Sequence, residues 1–191
     1  LRDEFISNQK HPETYKNPKI THHIFNVDDE TKKEMLYFTE EEGFTFSKFS
    51  RVVDDKLVYH NDHVKLFNYI FGVGRYRRNK TFELVNKSNS ILMFVDNNQC
   101  QSIVTNILTD MVGSVYDVHY TNSDINDSGS LIKKITEDFK PKNGKKSIII
   151  ANKQLTTGLT LEYCDMVIFL NDWKSMDEYI QASYRCQSVG K

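Results

Sequence analysis

Residues 155–191 read LTTGLTLEYCDMVIFLNDWKSMDEYIQASYRCQSVGK, and the parsing of this stretch decides the fold. Thr156, Thr157 and Gly158 are turn formers. They precede Met166–Leu170, a run whose β-branched and aromatic content predicts a strand, central in its sheet. Asn171-Asp172-Trp173 makes an acidic-aromatic turn. Ser175 is placed to cap the next helix, with Glu178 at the capping-box position, so residues 176 to about 187 are predicted helical. Gln181 and Arg185 stand four apart and share a face of that helix. A Gln and an Arg presented together just after a strand suit a nucleotide and its phosphates, because a guanidinium meets phosphate oxygens in pairs.

Working outward, the strand-helix alternation extends back to Ile91. Ile91–Val95, Val115–Tyr120 and Ser147–Ala151 read as strands. Helices are predicted between them, through Ile103, Ile107 and Leu108, and from Ser128 or Ser130 with Leu131, Ile132, Ile135 and Phe139 on one side. With Met166–Leu170 this makes four strands, the pattern of a parallel α/β sheet with right-handed crossovers. In such sheets ligands bind beyond the carboxyl ends of the strands. Here those ends are Asp96-Asn97-Asn98, Thr121-Asn122-Ser123, Asn152 to Thr157, and Asn171-Asp172-Trp173. Their hydroxyls, amides and helix N-termini either hold a phosphate backbone or serve as ordinary caps and turns.

Upstream of Ile91 the pattern is mixed. Residues 1 to about 19 are polar, broken by Pro12 and Pro18, and read as a connector. Ile20–Val27 suits a strand, and Asp28 or Asp29 can cap a helix through Met35, Leu36 and Phe38. Phe44–Tyr59 has no clear period and reads as irregular structure or a short hairpin. Asn61 or Asp62 is expected to cap a helix with Val64, Leu66, Phe67, Tyr69, Ile70 and Phe71 on its packing face, ended by Gly72. The adjacent His22 and His23 lack the Cys or carboxylate partners of a metal site, and His60 and His63, one helical turn apart, read as a solvated helix start rather than a bidentate site, so no metal is expected. Arg75-Tyr76-Arg77-Arg78 with Lys80 is the most basic stretch. It can neutralise phosphates while the tyrosine stacks on a base, or it is plain solvated surface.

Charge and cysteine usage set the class. The chain carries 25 basic and 26 acidic residues, a formal net charge of -1, so any polyanion contact must be a local patch. Three cysteines, Cys100, Cys164 and Cys186, form no CxxC and point to buried thiols in a reducing compartment. Without a membrane-length apolar run or a signal layout, an intracellular protein is expected. The start at Leu1 suggests a piece of a longer chain.

The order Gly158-Leu159-Thr160-Leu161, apolar strand, Asn171-Asp172-Trp173, then Gln181-Ala182-x-x-Arg185 resembles motifs V and VI of superfamily-two helicases. The likeness is to the Swi/Snf-like ATPases and their large-DNA-virus relatives, and it covers roughly the last hundred residues. It implies a RecA-like parallel sheet sandwiched by helices: a second lobe at 91–191, truncated at its C-terminal end, behind an inter-lobe connector and partly helical insertion at 1–90. By resemblance Asn97 and Asn98 fall at motif IV, and Thr156, Thr157 and Gly158 at motif V, loops that contact DNA or RNA, as would Thr121. Gln181 and Arg185 match motif VI, whose arginine reaches the γ-phosphate of ATP as an arginine finger. The family's pattern continues Arg-x-x-Arg, but position 188 is Ser. Lys191 stands where the family's near relatives have Gln. No phosphate-binding Gly-x-x-x-x-Gly-Lys-Ser/Thr loop and no strand ending in Asp-Glu for Mg occur. ATP and Mg would thus be held mainly by an N-terminal RecA-like lobe of the same polypeptide, and this fragment alone would be inactive. The readings left open beside it are a degenerate helicase-like scaffold in a transcription or replication complex and the motor of a restriction endonuclease. A Rossmann-like small-molecule domain is disfavoured, since no glycine-rich turn follows the Ile91 strand.

Overall fold

The computed structural model describes residue 29 and residues 45–121, 128–152, 161–173 and 175–183. The expected strand at 20–27 and nearly all of the helix after it lie outside them.

Ser90–Val95 (β3) is buried along its whole length. A strand needs such an unbroken apolar run only when both of its faces are covered, as in a parallel sheet between helices. β3 pairs in parallel with Lys146–Ala151 (β5) on one side and Met166–Leu170 (β6) on the other, placing Leu92 between Ile149 and Val167. Tyr116–Tyr120 (β4) adds in parallel beyond β5, giving the order β4-β5-β3-β6. The expectation that Met166–Leu170 is central is corrected. β6 lies at an edge of the described sheet, with Met166–Phe169 half-buried. Its composition signals covered faces, which an edge strand also has, and carries no information about neighbours.

Because side chains alternate across a strand, the sheet feeds two cores. Ile91, Met93, Val95, Ile148 and Ile150 enter one, and Leu92, Phe94, Ile149 and Ala151 the other. The first core is covered by Phe46–Phe49 (α1), His60–Phe71 (α2), Lys80–Val85 (α3) and Asn98–Val112 (α4). The second is covered by Ser128–Lys133 (α5), which continues into a π turn at Lys134–Asp138, and by Met176–Ser183 (α6). Ile135 is fully buried there, whereas Ile132 is 46% exposed, so the predicted apolar side of this helix holds one residue too many. Positions 131 and 135 share a face and 132 is turned away from it. Residues upstream of 90 contribute Phe49, Leu57, Phe67 and Phe71 to the first core.

The stretch with no clear period contains α1 and an antiparallel hairpin, Val52–Val53 (β1) with Lys56–Leu57 (β2). Asp54 and Asp55 turn it with φ of 49° and 56°, the left-handed pair that a tight hairpin needs. The hairpin runs straight into α2, so the expected Asn61 or Asp62 cap is corrected to Tyr59, which makes no side-chain cap bond. Asp62 instead sits buried in the first turn beside Lys65 at 3.2 Å.

α2 runs against the strands. It starts near their carboxyl ends, where Phe49, His63, Val95 and Leu170 line a small apolar cavity. It finishes with Phe71 edge-on to Tyr116, the first residue of β4, at 5.7 Å. Gly72 ends the helix at φ 65°, and a Cβ there would lie 2.3 Å from the Phe82 ring. Gly72→Ala should therefore cost about 1–3 kcal/mol from left-handed strain and overpacking, read as a lower urea midpoint with unchanged slope.

Candidate functional site

A parallel sheet delivers every strand's carboxyl end to one rim. The residues there lock one another in place. Asn97 caps α4, its side-chain oxygen accepting the Cys100 N–H at 2.8 Å. Asn98 is exposed, and its oxygen accepts the Asn152 side-chain N–H at 2.5 Å. Thr121 is buried and donates its N–H to the Ile150 carbonyl at 3.0 Å, with its hydroxyl turned to the same oxygen at 3.5 Å. Gln101, 1% exposed, joins these loops: with its amide assigned the orientation that pairs both atoms, its nitrogen donates to the Thr121 carbonyl at 2.6 Å and its oxygen accepts from the Asn152 N–H at 2.7 Å. The ends of β4 and β5 are thus tied to α4 through one side chain.

Sequence reasoning misses Gln101 as a site residue and reaches Asn171 only as part of the turn that ends its strand. The signal for Gln101 is a polar residue on the buried stripe with Cys100, Val104 and Leu108, where water cannot satisfy an amide. Asn171, 5% exposed at the end of β6, has neither amide atom hydrogen-bonded among the described residues. A buried amide without partners costs about 1–3 kcal/mol, which a ligand offering both a donor and an acceptor would relieve. Next to it, Asp172 accepts the Ser47 N–H at 3.1 Å. Trp173 lies edge-on against the stacked Phe94 and Phe169 rings, at 5.6 and 5.5 Å. The Tyr179 N–H donates to the Ser175 carbonyl at 3.2 Å, so α6 starts where Ser175 is expected to cap it. Gln181 is half-buried in its second turn. Thr156, Thr157, Gly158 and Arg185 lie outside the described residues.

The basic run does not join this rim. It follows the far end of α2, and Asn86, just after α3, accepts Lys146 Nζ at 2.5 Å beside the start of β5. The strands are six residues or fewer, so about 20 Å separates the two ends of the sheet. Tyr76 there is half-buried. The Arg75 guanidinium lies 5.0 Å from its ring centroid and Tyr69 meets it edge-on at 5.9 Å, so one face of the ring is already covered.

Two titratable groups near the carboxyl rim are shaped by burial. Cys100 sits in the first turn of α4, which alone would favour a thiolate. Burial outweighs this and raises its pKa to about 11, despite a hydrogen bond from Ser50. Neither Cys100 nor Cys164 is in a disulfide. His63 is no solvated residue at a helix start. It stacks on Phe49 at 4.0 Å and its Nδ1 donates to the Tyr59 carbonyl at 2.9 Å. Burial lowers its pKa to about 4, against a weaker raising effect of that hydrogen bond. The unfolded chain then takes up a proton near pH 6.5, before the folded chain does, so this contribution is whole above pH 6.5 and is lost as pH falls toward 4. Stability should drop by roughly 3 kcal/mol across that window, and His63→Phe should flatten the drop in denaturant titrations at pH 7 and pH 4.5.

No group of three or more His, Cys, Asp or Glu side chains that could hold a metal occurs among the described residues. No helix among them is long and apolar enough to cross a membrane. No curated protein matches the chain. One solved structure similar to it is described as the crystal structure of the C-terminal part of the Fun30 ATPase domain, at 18% identity and a TM-score of 0.44, over 87% of this chain and 47% of that one. The chain therefore spans just under half the length of that structure. The family model for the helicase conserved C-terminal domain matches residues 75–190, more than half of the 191 residues. The chain belongs to the helicase conserved C-terminal domain family, and its four-stranded parallel sheet between helices is the RecA-like fold of a helicase C-terminal lobe.

Proposed function

We propose that this lobe works in a nucleic-acid-dependent ATPase, a helicase or translocase, whose ATP site is completed by an N-terminal RecA-like lobe. The division at residue 90 into connector and lobe belongs to this reading, with α2 and α3 of the connector packed on the lobe's core. Thr121, Asn97, Asn98 and the loop at Thr156, Thr157 and Gly158 hold the sugar-phosphate backbone of DNA or RNA. Arg75, Tyr76, Arg77 and Arg78 add a basic surface. Gln181 and Arg185 face ATP, and Arg185 supplies positive charge where the transferring phosphoryl group gains negative charge. Mg has no fitting ligand group among the described residues of this lobe. It is assigned to the other lobe with the phosphate-binding loop.

The observation that carries the reading is Asn171, a buried amide with two unpaired polar atoms at the rim where parallel sheets bind ligands. Backbone phosphates and sugar hydroxyls offer the acceptors and donors that such a rim lacks. The test is ATP hydrolysis by the intact protein with and without nucleic acid. A rate that rises with nucleic acid supports a motor, and a protein that hydrolyses no ATP under either condition overturns it. Ser188, in place of the second motif VI arginine, favours a second reading, a lobe kept as a scaffold.

A further inference from the structure

The basic run is carried on a braced backbone. Gly72 and Gly74, at φ 65° and 61°, throw the chain out of α2 into a single 3₁₀ turn at Gly74–Tyr76. Asn79 then ties three segments together. Its side-chain nitrogen donates to the Tyr69 carbonyl of α2 at 2.8 Å and to the Tyr76 carbonyl at 2.6 Å. Its oxygen accepts the Phe82 N–H at 2.8 Å and so caps α3. On this frame Arg75, Arg77, Arg78 and Lys80 are all exposed. None of the four forms an ion pair with a carboxylate among the described residues. Four cations in six residues thus stand uncompensated on a fixed backbone, in a chain whose net charge is -1. A flexible solvated face would need neither the two left-handed glycines nor the Asn79 bracket. It lies at the amino-end rim, about 20 Å from the strand-end loops.

We propose that this basic knuckle is a second phosphate-backbone site, separate from the carboxyl rim, that grips the flank of the same nucleic acid outside the segment held near ATP. The inference rests on the nucleic-acid reading above. Guanidinium groups match phosphate oxygens in pairs, and three of the four cations are arginines. Arg75 is braced against Tyr76 by a 2.9 Å hydrogen bond to the phenol oxygen, which sets its direction before any ligand arrives. A duplex advances about 3.4 Å per base pair, so both sites can be filled only when at least about six base pairs extend past the rim.

The test compares the intact protein with its Arg75→Ala/Arg77→Ala/Arg78→Ala variant on DNA hairpins from about 8 to about 40 base pairs, by fluorescence anisotropy over a salt series. Both proteins should bind the shortest hairpins alike. On the longest, the variant should lose at least about tenfold in affinity, and its slope of log K against log salt should shrink by about two to three, near 0.9 for each phosphate no longer neutralised. The Arg→Lys triple variant should keep the slope while losing part of the affinity, and matching thermal midpoints establish that the variants fold. A loss equal at every length overturns the separate site. No loss at any length overturns it too and leaves the patch to an acidic protein surface. Failure of the wild type to bind any hairpin fails the nucleic-acid reading itself, and this inference with it.

Discussion

Replacing Arg185 by Ala in the intact protein is expected to lower its nucleic-acid-stimulated ATPase rate at least about a hundredfold, a floor set below the roughly thousandfold or more that an arginine finger supplies. At 1.36 kcal/mol per factor of ten, this is a loss of about 2.7 kcal/mol of transition-state stabilisation. The charge acts on oxygens that become more negative during phosphoryl transfer, so the loss should fall on kcat rather than on KM for ATP. Arg185→Lys should recover only part of it, since an ammonium cannot bridge two oxygens as a planar guanidinium does. Ser188 stands where the family's pattern has its second motif VI arginine, and its hydroxyl cannot supply the charge in place of Arg185. Steady-state kinetics on wild type and both variants check this. An active wild type with an undiminished Ala variant would remove Arg185 from the site, and an inactive wild type would favour the scaffold.

The second large effect is structural. Gln101→Leu keeps the volume of a buried side chain but removes both of its hydrogen bonds, leaving the Thr121 carbonyl and the Asn152 N–H without their partner. At about 1–3 kcal/mol for each buried group left unsatisfied, stability should fall by about 2–6 kcal/mol. The loss should also be local. Thr121 and Asn152 end β4 and β5, so hydrogen exchange should quicken first at those two ends while β3 stays protected. Gln101→Glu adds a buried carboxylate, which suits the Asn152 N–H but repels the Thr121 carbonyl, and it should be as damaging at pH 7. A midpoint shift of under about 0.5 kcal/mol in Gln101→Leu, the range of ordinary surface substitutions, would show that Gln101 does not tie the strand ends.

Period and composition are local properties, and they locate the elements well. Ile91–Val95 extends by only one residue to Ser90–Val95, and Met166–Leu170 is observed at the expected bounds. Sheet order is not local. The middle positions belong to β3 and β5, which no count of Val and Ile in Met166–Leu170 could reveal. The same limit hides the rim. Asn97 is legible as a strand-end residue, but its capping bond to Cys100 depends on where α4 begins. Gln101 is a polar residue amid apolar ones until the ends of β4 and β5 converge on it. His63 reads as solvated because its neighbours His60 and Asn61 are polar, whereas its own position faces Phe49 and Phe67. The basic run is visible from charge alone, but its distance from the other candidates follows from α2 running against the strands.

The Ser47 N–H and the Asp172 carboxylate meet across 125 positions of sequence. This single bond fastens α1, at the start of the described chain, to the turn that launches α6. With Phe49 anchored beneath it in the first core, α1 behaves as a latch on that turn. In the two-lobe protein proposed above, rotation of this lobe would swing α6 and the hairpin at Val52–Leu57 together, as one lever arm. Tension applied to α1 would reach the start of α6 through backbone and one carboxylate, without crossing the sheet.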